Sequence, residues 1–442
     1  MMRTLAAVLL VALFPLPLVA QPPPIRLTLA DAIARGFDTS HRLAEVRARE
    51  QGALAAVRGA HLADRPIVTA SAGYLRTNHV TEFAFGQGSA RTVVYPDIPD
   101  NVVSRVSFQW PIYTSGRVDA LERAAAAEAQ AVGADIETTR ADLRLEIVRA
   151  YWAAATAREA VRVLEESTAR ADAQLRDARQ RFAVGLVPPN EVSSLEAQRS
   201  REQAQLIEAS NIRESTLVDL RRLIGADPET VIELADLLDQ AGASSASGAS
   251  GAGALVQEAL ERRPERKALN LRLDGVEARQ QAAMTANKPI VAVGAGVDYA
   301  NPNSRIFPRK GEWQESWDVS VNVSWAFLDF GRIKAQVAEV AAAATATRER
   351  IAEFDSVVAA DIRQRLLDLD SSQAVVKAAS DAVRSAAEAR RVVGDRFAAG
   401  VATSTDVVVA QVAMLEAELA RTRSLAGVRL AEARLHRSLG RP

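Results

Sequence analysis

The 442-residue sequence contains no cysteine, which excludes disulfides, thiol catalysis, thiolate metal sites and a lipid attached to an N-terminal cysteine. Histidine is also scarce. The four histidines are scattered along the chain without ligand or catalytic spacing: His41, His61, His79 and His436. Neither sign of charge is in excess, because the sequence has 54 basic and 55 acidic residues. This balance argues against a nucleic-acid partner. We therefore expect no metal, no cofactor and no enzymatic activity.

Long apolar runs are missing too, except at the N-terminus. No later stretch approaches the roughly 18 consecutive apolar residues of a membrane helix. The N-terminus has Arg3, a short apolar stretch over residues 5–18, and Ala20 before Gln21, which predicts a signal peptide over residues 1–20. An N-terminal membrane anchor is the alternative, although the run is short for a span. A cleaved signal peptide would mean that the chain is exported.

What the sequence does contain is a duplication. The segment at residues 181–185 (Arg-Phe-Ala-Val-Gly) recurs at residues 396–400 (Arg-Phe-Ala-Ala-Gly), 215 residues further on. The same offset relates further pairs: Trp110 and Trp325, Gly116 and Gly331, Gly225 and Gly440. A repeat of this length implies a duplicated module of several elements. We assign the modules to residues 21–240 and 255–442, joined by a flexible Ala/Gly/Ser connector at 241–254.

Each module contains one pair of strands in which apolar and polar residues alternate. The clearest lies at about 317–328, where tryptophans and valines alternate with Asp318, Ser320 and Asn322. A period of two predicts a strand with one apolar face. The partner strand is predicted at about 289–299. The first module has the equivalent pair at about 66–76 and 102–113, with a longer loop between the two strands.

The rest of each module is predicted to be helical. Residues 116–182 and 331–397 contain no proline and carry apolar residues at spacings of three and four. Each run would be about 100 Å long as one helix, which is typical of a coiled coil. Gly185 and Gly400 suit left-handed C-caps that close helical hairpins. The return helices are predicted over 190–224 and 405–439, with Asn190 and Thr405 as N-caps. Shorter helices, about 41–63 and 264–286, precede the strands.

Four strands of about ten residues on an exported chain leave two architectures open. One is a soluble antiparallel sheet whose apolar face is covered by helices. The other is a lipid-facing barrel wall with a polar interior, which strand length and terminal aromatics favour. Four strands alone would leave unpaired edges in lipid, so further copies of the chain would have to close the barrel. Two copies would give eight strands and a filled interior, whereas three would give twelve and a passage.

The chain resembles the TolC-type outer membrane efflux proteins. Four motifs carry this resemblance. Two are the Arg-Phe-x-x-Gly segments, the first followed by Glu191-Val192 and the second by Asp406-Val407 and Ala410-Gln411. The other two are the strand-to-helix transitions at 111–117 and 327–332. The resemblance implies an α+β membrane protein, a homotrimer whose twelve-stranded β-barrel continues into a twelve-helix α-barrel. Proline and glycine at Pro111, Gly116 and Gly331 would mark the transitions.

The resemblance also implies a function and a location. The chain would be the exit duct of a tripartite efflux or type I secretion system, passively conducting substrate. It would lie among the lipids of the outer membrane of a Gram-negative bacterium and extend into the periplasm. Its partners would be a periplasmic adaptor and an inner-membrane transporter. The alternative is a periplasmic coiled-coil protein without a pore, either structural or an adaptor. An adaptor, however, carries one helical hairpin between lipoyl-like segments rather than two such modules.

The hairpin tips are the candidate functional residues. By resemblance, the adaptor would contact eight tip residues: Arg181, Phe182, Gly185, Leu186, Arg396, Phe397, Gly400 and Val401. The alternative is that phenylalanine and glycine merely build the turns. Asp406 occupies the position of the family's acidic constriction, where three copies would form a carboxylate ring. Stabilisation of the helix N-terminus is the other interpretation of this residue.

At the gate, the chain departs in two respects from the archetypal member of the family that it resembles. Val409 stands where the archetype has a second aspartate, and Phe397 and Ala402 replace the tyrosine and arginine of its latch. Phe397 cannot donate a hydrogen bond to Glu191, the acidic residue at the matched position. We therefore expect a closed state held by apolar packing, with an Arg396–Glu191 ion pair, rather than by the archetypal latch.

Overall fold

The computed structural model describes residues 25–239 and 251–441. The predicted signal peptide, residues 1–20, lies outside this part of the chain, as do residues 241–250 of the predicted connector. The connector is shorter than predicted at its C-terminal end, because a helix already begins at Ala252. Among the described residues, no helix combines the length and apolar character needed to cross a membrane.

The described elements follow the repeat. In chain order they are β1 (Ile25–Leu27), α1 (Leu29–Thr39), α2 (His41–His61), β2 (Ile67–Arg76), β3 (Phe83–Phe85), β4 (Thr92–Tyr95), β5 (Asp100–Tyr113), α3 (Arg117–Ala183), α4 (Pro189–Leu223), β6 (Ile232–Leu234), α5 (Ala252–Arg262), α6 (Pro264–Met284), β7 (Ile290–Asn301), β8 (Gln314–Ser324), α7 (Arg332–Ala398) and α8 (Ser404–Ser438). Both long helices have 67 residues, and both return helices have 35. The two modules therefore match residue for residue across their helical hairpins.

The described chain divides into two compact units, and one of them contains the main sheet (residues 41–142, 251–367 and 434–441). Its strand order is β2-β5-β7-β8, antiparallel throughout, so β5 and β7 join the two predicted strand pairs. The last strand lies earlier than the predicted 317–328 and ends at Ser324. The chain leaves the sheet at Trp325, whose indole N–H donates to the Asn287 carbonyl at 2.8 Å.

The register separates the two faces of this sheet. Val106 pairs with Val297, and Val297 with Trp317, so apolar side chains from three strands share one face. Trp317 is 74% exposed, and Val321 is 67% exposed. A soluble sheet would need this face covered, and no described part of the chain covers it. The uncovered apolar face therefore argues against the soluble-sheet architecture.

The other unit holds the helical hairpin tips and comprises residues 25–40, 143–239 and 368–433 of the described chain. It also contains a parallel pair of three-residue strands, β1 and β6, which the sequence did not reveal. The fully buried Tyr151 ties this pair to α3, because its hydroxyl lies 3.1 Å from the Leu27 carbonyl and 2.9 Å from the Asp236 carboxylate. Burial raises the pKa of Tyr151, so this hydroxyl stays a donor.

Candidate gate and docking tips

Both long helices end in the same turn. Gly185 has φ +74° and Gly400 has φ +77°, the left-handed conformation that glycine adopts without a steric penalty. The Leu186 N–H donates to the Arg181 carbonyl at 2.8 Å, and the Val401 N–H donates to the Arg396 carbonyl at 2.9 Å. These bonds satisfy carbonyls that a helix end otherwise leaves unpaired. Glycine and the preceding helix residues therefore build the turns, whatever else they contact.

The tips expose apolar side chains around these turns. Val184 is 71% exposed, Leu186 73% and Val401 63%, and the Phe182 ring is 45% exposed. Exposed apolar residues that cluster at one end of a helical hairpin mark an interaction surface. Val409, one turn into α8, is also 63% exposed.

Asp406 closes the start of α8 in a capping box. Its Oδ2 atom accepts hydrogen bonds from the backbone N–H and the hydroxyl of Thr403, both at 2.8 Å, and its own N–H donates to the Thr403 hydroxyl at 3.2 Å. The N-cap is thus Thr403, and the predicted cap, Thr405, lies inside the helix. The bonds from Thr403 hold the pKa of Asp406 below its ordinary value, with a smaller contribution from Arg396. The carboxylate both caps the helix and stays ionised at neutral pH.

The matched residue Glu191 is in a different situation. The N-cap of α4 is Pro188, not the predicted Asn190, and Pro189 is the first helical residue. Proline has neither an N–H nor a hydroxyl to offer, so no capping box can form there. Within the described chain, the Glu191 carboxylate forms no hydrogen bond and no ion pair. The two acidic positions of the repeat therefore differ, because one is held in a cap and the other is not.

A cation–π contact joins the two tips. The guanidinium carbon of Arg181 lies 5.3 Å from the ring centroid of Phe397, and Arg181 also pairs with Asp177 at 2.9 Å. The predicted Arg396–Glu191 ion pair is absent from the described structure. The contact made between the tips instead joins the arginine of the first tip to the phenylalanine ring of the second, and the ion pair stays a prediction for the closed channel.

The helices behind the tips pack in layers. The layer nearest the tips consists of Leu175, Ala178 and Leu195, with Val192 and Val408 packed against it. A polar layer follows. In it, Glu202 is 1% exposed and accepts hydrogen bonds from the Ser167 hydroxyl at 2.8 Å and from the Gln198 amide at 2.9 Å. The matched positions of the second module are all alanine: Ala382, Ala413 and Ala417. Of the two described hairpins, only α3/α4 has this polar layer.

The strand-to-helix transitions also repeat. Two consecutive residues have positive φ in each, Ser115 and Gly116 (55° and 82°) and Phe330 and Gly331 (54° and 92°). Asp329 then accepts the Gly331 N–H at 3.1 Å and the Ile333 N–H at 2.6 Å, which caps α7.

Pro111 lies at a β-bulge of β5, a place in a sheet where proline is tolerated. Next to it, the Trp110 indole N–H donates to the Asp64 carbonyl at 3.0 Å. This bond repeats the one from Trp325, so both strand ends are fixed in the same way.

The polar face of the sheet carries a charged network. Arg105 on β5 donates to Asp298 on β7 at 2.7 Å and to Asp318 on β8 at 2.9 Å. To reach β8 its side chain crosses β7 at Gly296, where an added Cβ would lie 2.8 Å from the guanidinium carbon. Packing therefore explains the glycine at position 296, because any side chain there would collide with Arg105. Within the described residues, no group of histidine, aspartate and glutamate is arranged to hold a metal ion.

Comparison with protein families identifies the chain. The model of the family described as outer membrane efflux protein matches residues 37–226 and 255–441, which is most of the sequence. The chain belongs to the outer membrane efflux protein family. This efflux protein is therefore a transport channel by family, located in the outer membrane of a Gram-negative bacterium and extending into the periplasm.

Individual relatives agree with this assignment. The efflux protein is 22% identical over 383 residues to the outer membrane protein TolC of Vibrio cholerae, covering 86% of this chain and 83% of TolC. It is 30% identical over 235 residues to protein CyaE of Bordetella pertussis, covering 52% of this chain and only 47% of CyaE.

Solved structures share its fold. The outer-membrane channel OprN matches with a TM-score of 0.76 at 18% identity, covering 94% of this chain and 90% of OprN. VceC from Vibrio cholerae matches with a TM-score of 0.74 at 19% identity, covering 93% and 96%. At these identities the likeness concerns the fold alone.

Proposed function

We propose that this efflux protein is the outer-membrane exit duct of a tripartite efflux or type I secretion system. Three copies would close a twelve-stranded barrel and a twelve-helix tunnel, through which substrate passes from a periplasmic adaptor and an inner-membrane transporter to the exterior. The main support is the four-stranded sheet. Its apolar face is uncovered, its polar face carries the Arg105 network, and its outer strands β2 and β8 each lack a neighbour on one side within the described chain.

A barrel closed by several copies would accommodate all of these features in a lipid bilayer. Unpaired strand edges are not viable in a bilayer, so β8 of one copy would pair with β2 of the next. The apolar face would then contact lipid, and the polar face would line the passage. The indoles of Trp110 and Trp325, half-exposed at the strand ends, suit the membrane–water interface.

We further propose that Asp406 forms the constriction. Its carboxylate is exposed and ionised, so three copies around an axis would attract cations. The experiment is conductance in planar lipid bilayers with Asp406→Asn, which removes the charge, and Thr403→Ala, which weakens the cap but keeps the charge. We expect Asp406→Asn alone to lower cation selectivity. An equal effect of both variants would mean that Asp406 acts only through the helix cap.

Conductance also tests the duct itself. A purified protein that needs no detergent and forms no channels would instead be a periplasmic coiled-coil protein without a pore.

The exposed tips are the proposed adaptor site. Leu186 and Val401 would bury their side chains against an adaptor hairpin, and an aspartate there would desolvate a charge without a partner. We expect Leu186→Asp to abolish co-purification of the host's adaptor. The matched control is Ile207→Asp on the shaft of α4, where the side chain is similarly exposed at 62%. Loss of co-purification in both variants would contradict the assignment of the adaptor site to the tip.

A further inference from the structure

The two hairpin tips present the same pair of side chains twice. Arg181 and Phe182 in the first module correspond to Arg396 and Phe397 in the second, and the backbone turns that follow them are alike. The repeat therefore supplies the side chains for two cation–π contacts between unlike tips. One joins Arg181 to Phe397, and the other would join Arg396 to Phe182.

Only the first of these contacts is made within the described chain. The Arg181 guanidinium covers the Phe397 ring, which is partly buried, whereas the Phe182 ring is 45% exposed. In the described structure, Arg396 makes no hydrogen bond, ion pair or ring contact, and its one electrostatic effect is the small lowering of the pKa of Asp406. The residue four before Arg181 is its partner Asp177, but the residue four before Arg396 is Val392. Asp395, the residue before Arg396, pairs with Arg391 instead, so no ion pair within the described structure holds the Arg396 side chain.

We propose that Arg396 of one copy stacks on Phe182 of the neighbouring copy. This rests on the proposed trimer, in which the two hairpins of each chain alternate around a ring. Each first hairpin then lies beside the second hairpin of its own chain, and each second hairpin lies beside the first hairpin of the next chain in a similar orientation. Within a chain, this arrangement brings Arg181 onto Phe397. Between chains, the same arrangement brings Arg396 onto the neighbour's Phe182. Six alternating arginine–phenylalanine contacts then encircle the mouth, three within chains and three between them.

The absence of cysteine makes the contact directly testable, because introduced thiols have no native competitors. In the full-length protein, Phe182→Cys with Arg396→Cys should give dimers and trimers on denaturing gels after treatment with a short bifunctional thiol reagent. The matched pair, Arg181→Cys with Phe397→Cys, should cross-link within one chain and run as a monomer. Light scattering on the same detergent-purified samples gives the number of copies.

Each outcome decides the matter. Trimeric protein in which Phe182→Cys with Arg396→Cys gives no interchain product overturns the contact but leaves the proposed duct intact. Monomeric protein overturns the contact and the proposed duct together. Interchain products specific to this pair support the contact.

Channel recordings supply a second test that does not depend on thiols. In this proposal the three interchain contacts hold the closed mouth and are broken on opening, so Phe182→Leu should raise the ratio of open to closed channels about ten- to hundredfold. Phe182→Tyr keeps an aromatic face and should remain near the unmodified protein. An equal effect of leucine and tyrosine would overturn the cation–π assignment.

Discussion

Replacing Ser167 by alanine removes one of two hydrogen bonds to the most deeply buried acidic side chain of the α3/α4 hairpin. Glu202 is 1% exposed, and the Ser167 hydroxyl lies 2.8 Å from its Oε2 atom. Water cannot easily replace the lost donor at this depth. Leaving a buried polar atom unsatisfied costs about 1–3 kcal/mol, and we expect Ser167→Ala to lower the free energy of local unfolding of this hairpin by that amount.

Amide hydrogen exchange followed by mass spectrometry measures this local opening in the intact protein. A loss of about 1–3 kcal/mol corresponds to roughly 5- to 150-fold faster exchange in peptides of α3 and α4 around the polar layer. The matched control is Ser380→Ala on α7. The Ser380 hydroxyl donates only to the Val376 carbonyl of its own helix, at 2.8 Å, so its removal should change little.

A double-mutant cycle isolates the interaction with Glu202. Glu202→Gln keeps the shape of the side chain and offers an amide that needs less compensation when buried. Ser167→Ala should therefore cost less in a Glu202→Gln background than in the unmodified protein. Additive costs, or exchange in Ser167→Ala that is no faster than in Ser380→Ala, would refute the reasoning that this polar layer stabilises the hairpin.

The remaining predictions concern the sheet, a transition and the gate. Gly296→Val should displace Arg105 from β8 and lower the yield and heat resistance of assembled protein in gel-shift assays, and unchanged heat resistance would contradict the packing role of this glycine. Gly331→Ala should lower stability by about 1–2 kcal/mol, measured as a lower midpoint of denaturant unfolding, because alanine disfavours the positive φ of 92° found there. The lowered pKa of Asp406 means that its cap contributes stability above the ordinary pKa of 3.8 and loses it as pH falls through the lower folded value. Cation selectivity should accordingly be present at neutral pH and be lost as the carboxylates are protonated in acid, and an equal acid-induced loss in Asp406→Asn would contradict the assignment.

The long helices could be predicted from sequence almost to the residue. The predicted runs 116–182 and 331–397 differ by one residue from Arg117–Ala183 and Arg332–Ala398. Such helices have unambiguous ends, because glycine fixes the turn at both termini and proline is absent between them. The strand pairs could be predicted for a similar reason, since apolar and polar residues that alternate over ten positions fit a strand and not a helix.

Short and long-range features could not be predicted in this way. β1 and β6 have three residues each, too few for a period, and they are far apart in sequence. The Arg181–Phe397 contact is between residues more than two hundred positions apart, so no local pattern predicts it. The Thr403 cap did leave a signal, because a threonine followed three residues later by an acidic residue is typical of a capping box.

The differences between the modules are informative because the helical frame around them is so closely repeated. Pro188 stands at the position that matches Thr403, which leaves Glu191 uncapped, and the buried Glu202 stands at the position that matches Ala417. A cap and a buried polar layer act on different parts of a hairpin, the former at its end and the latter along its shaft. The second hairpin is therefore stabilised at its tip, and the first along its length. A gate at Asp406 would then lie on the hairpin whose tip is the better fixed, while the three positions that match the polar layer are alanines without side-chain hydrogen bonds.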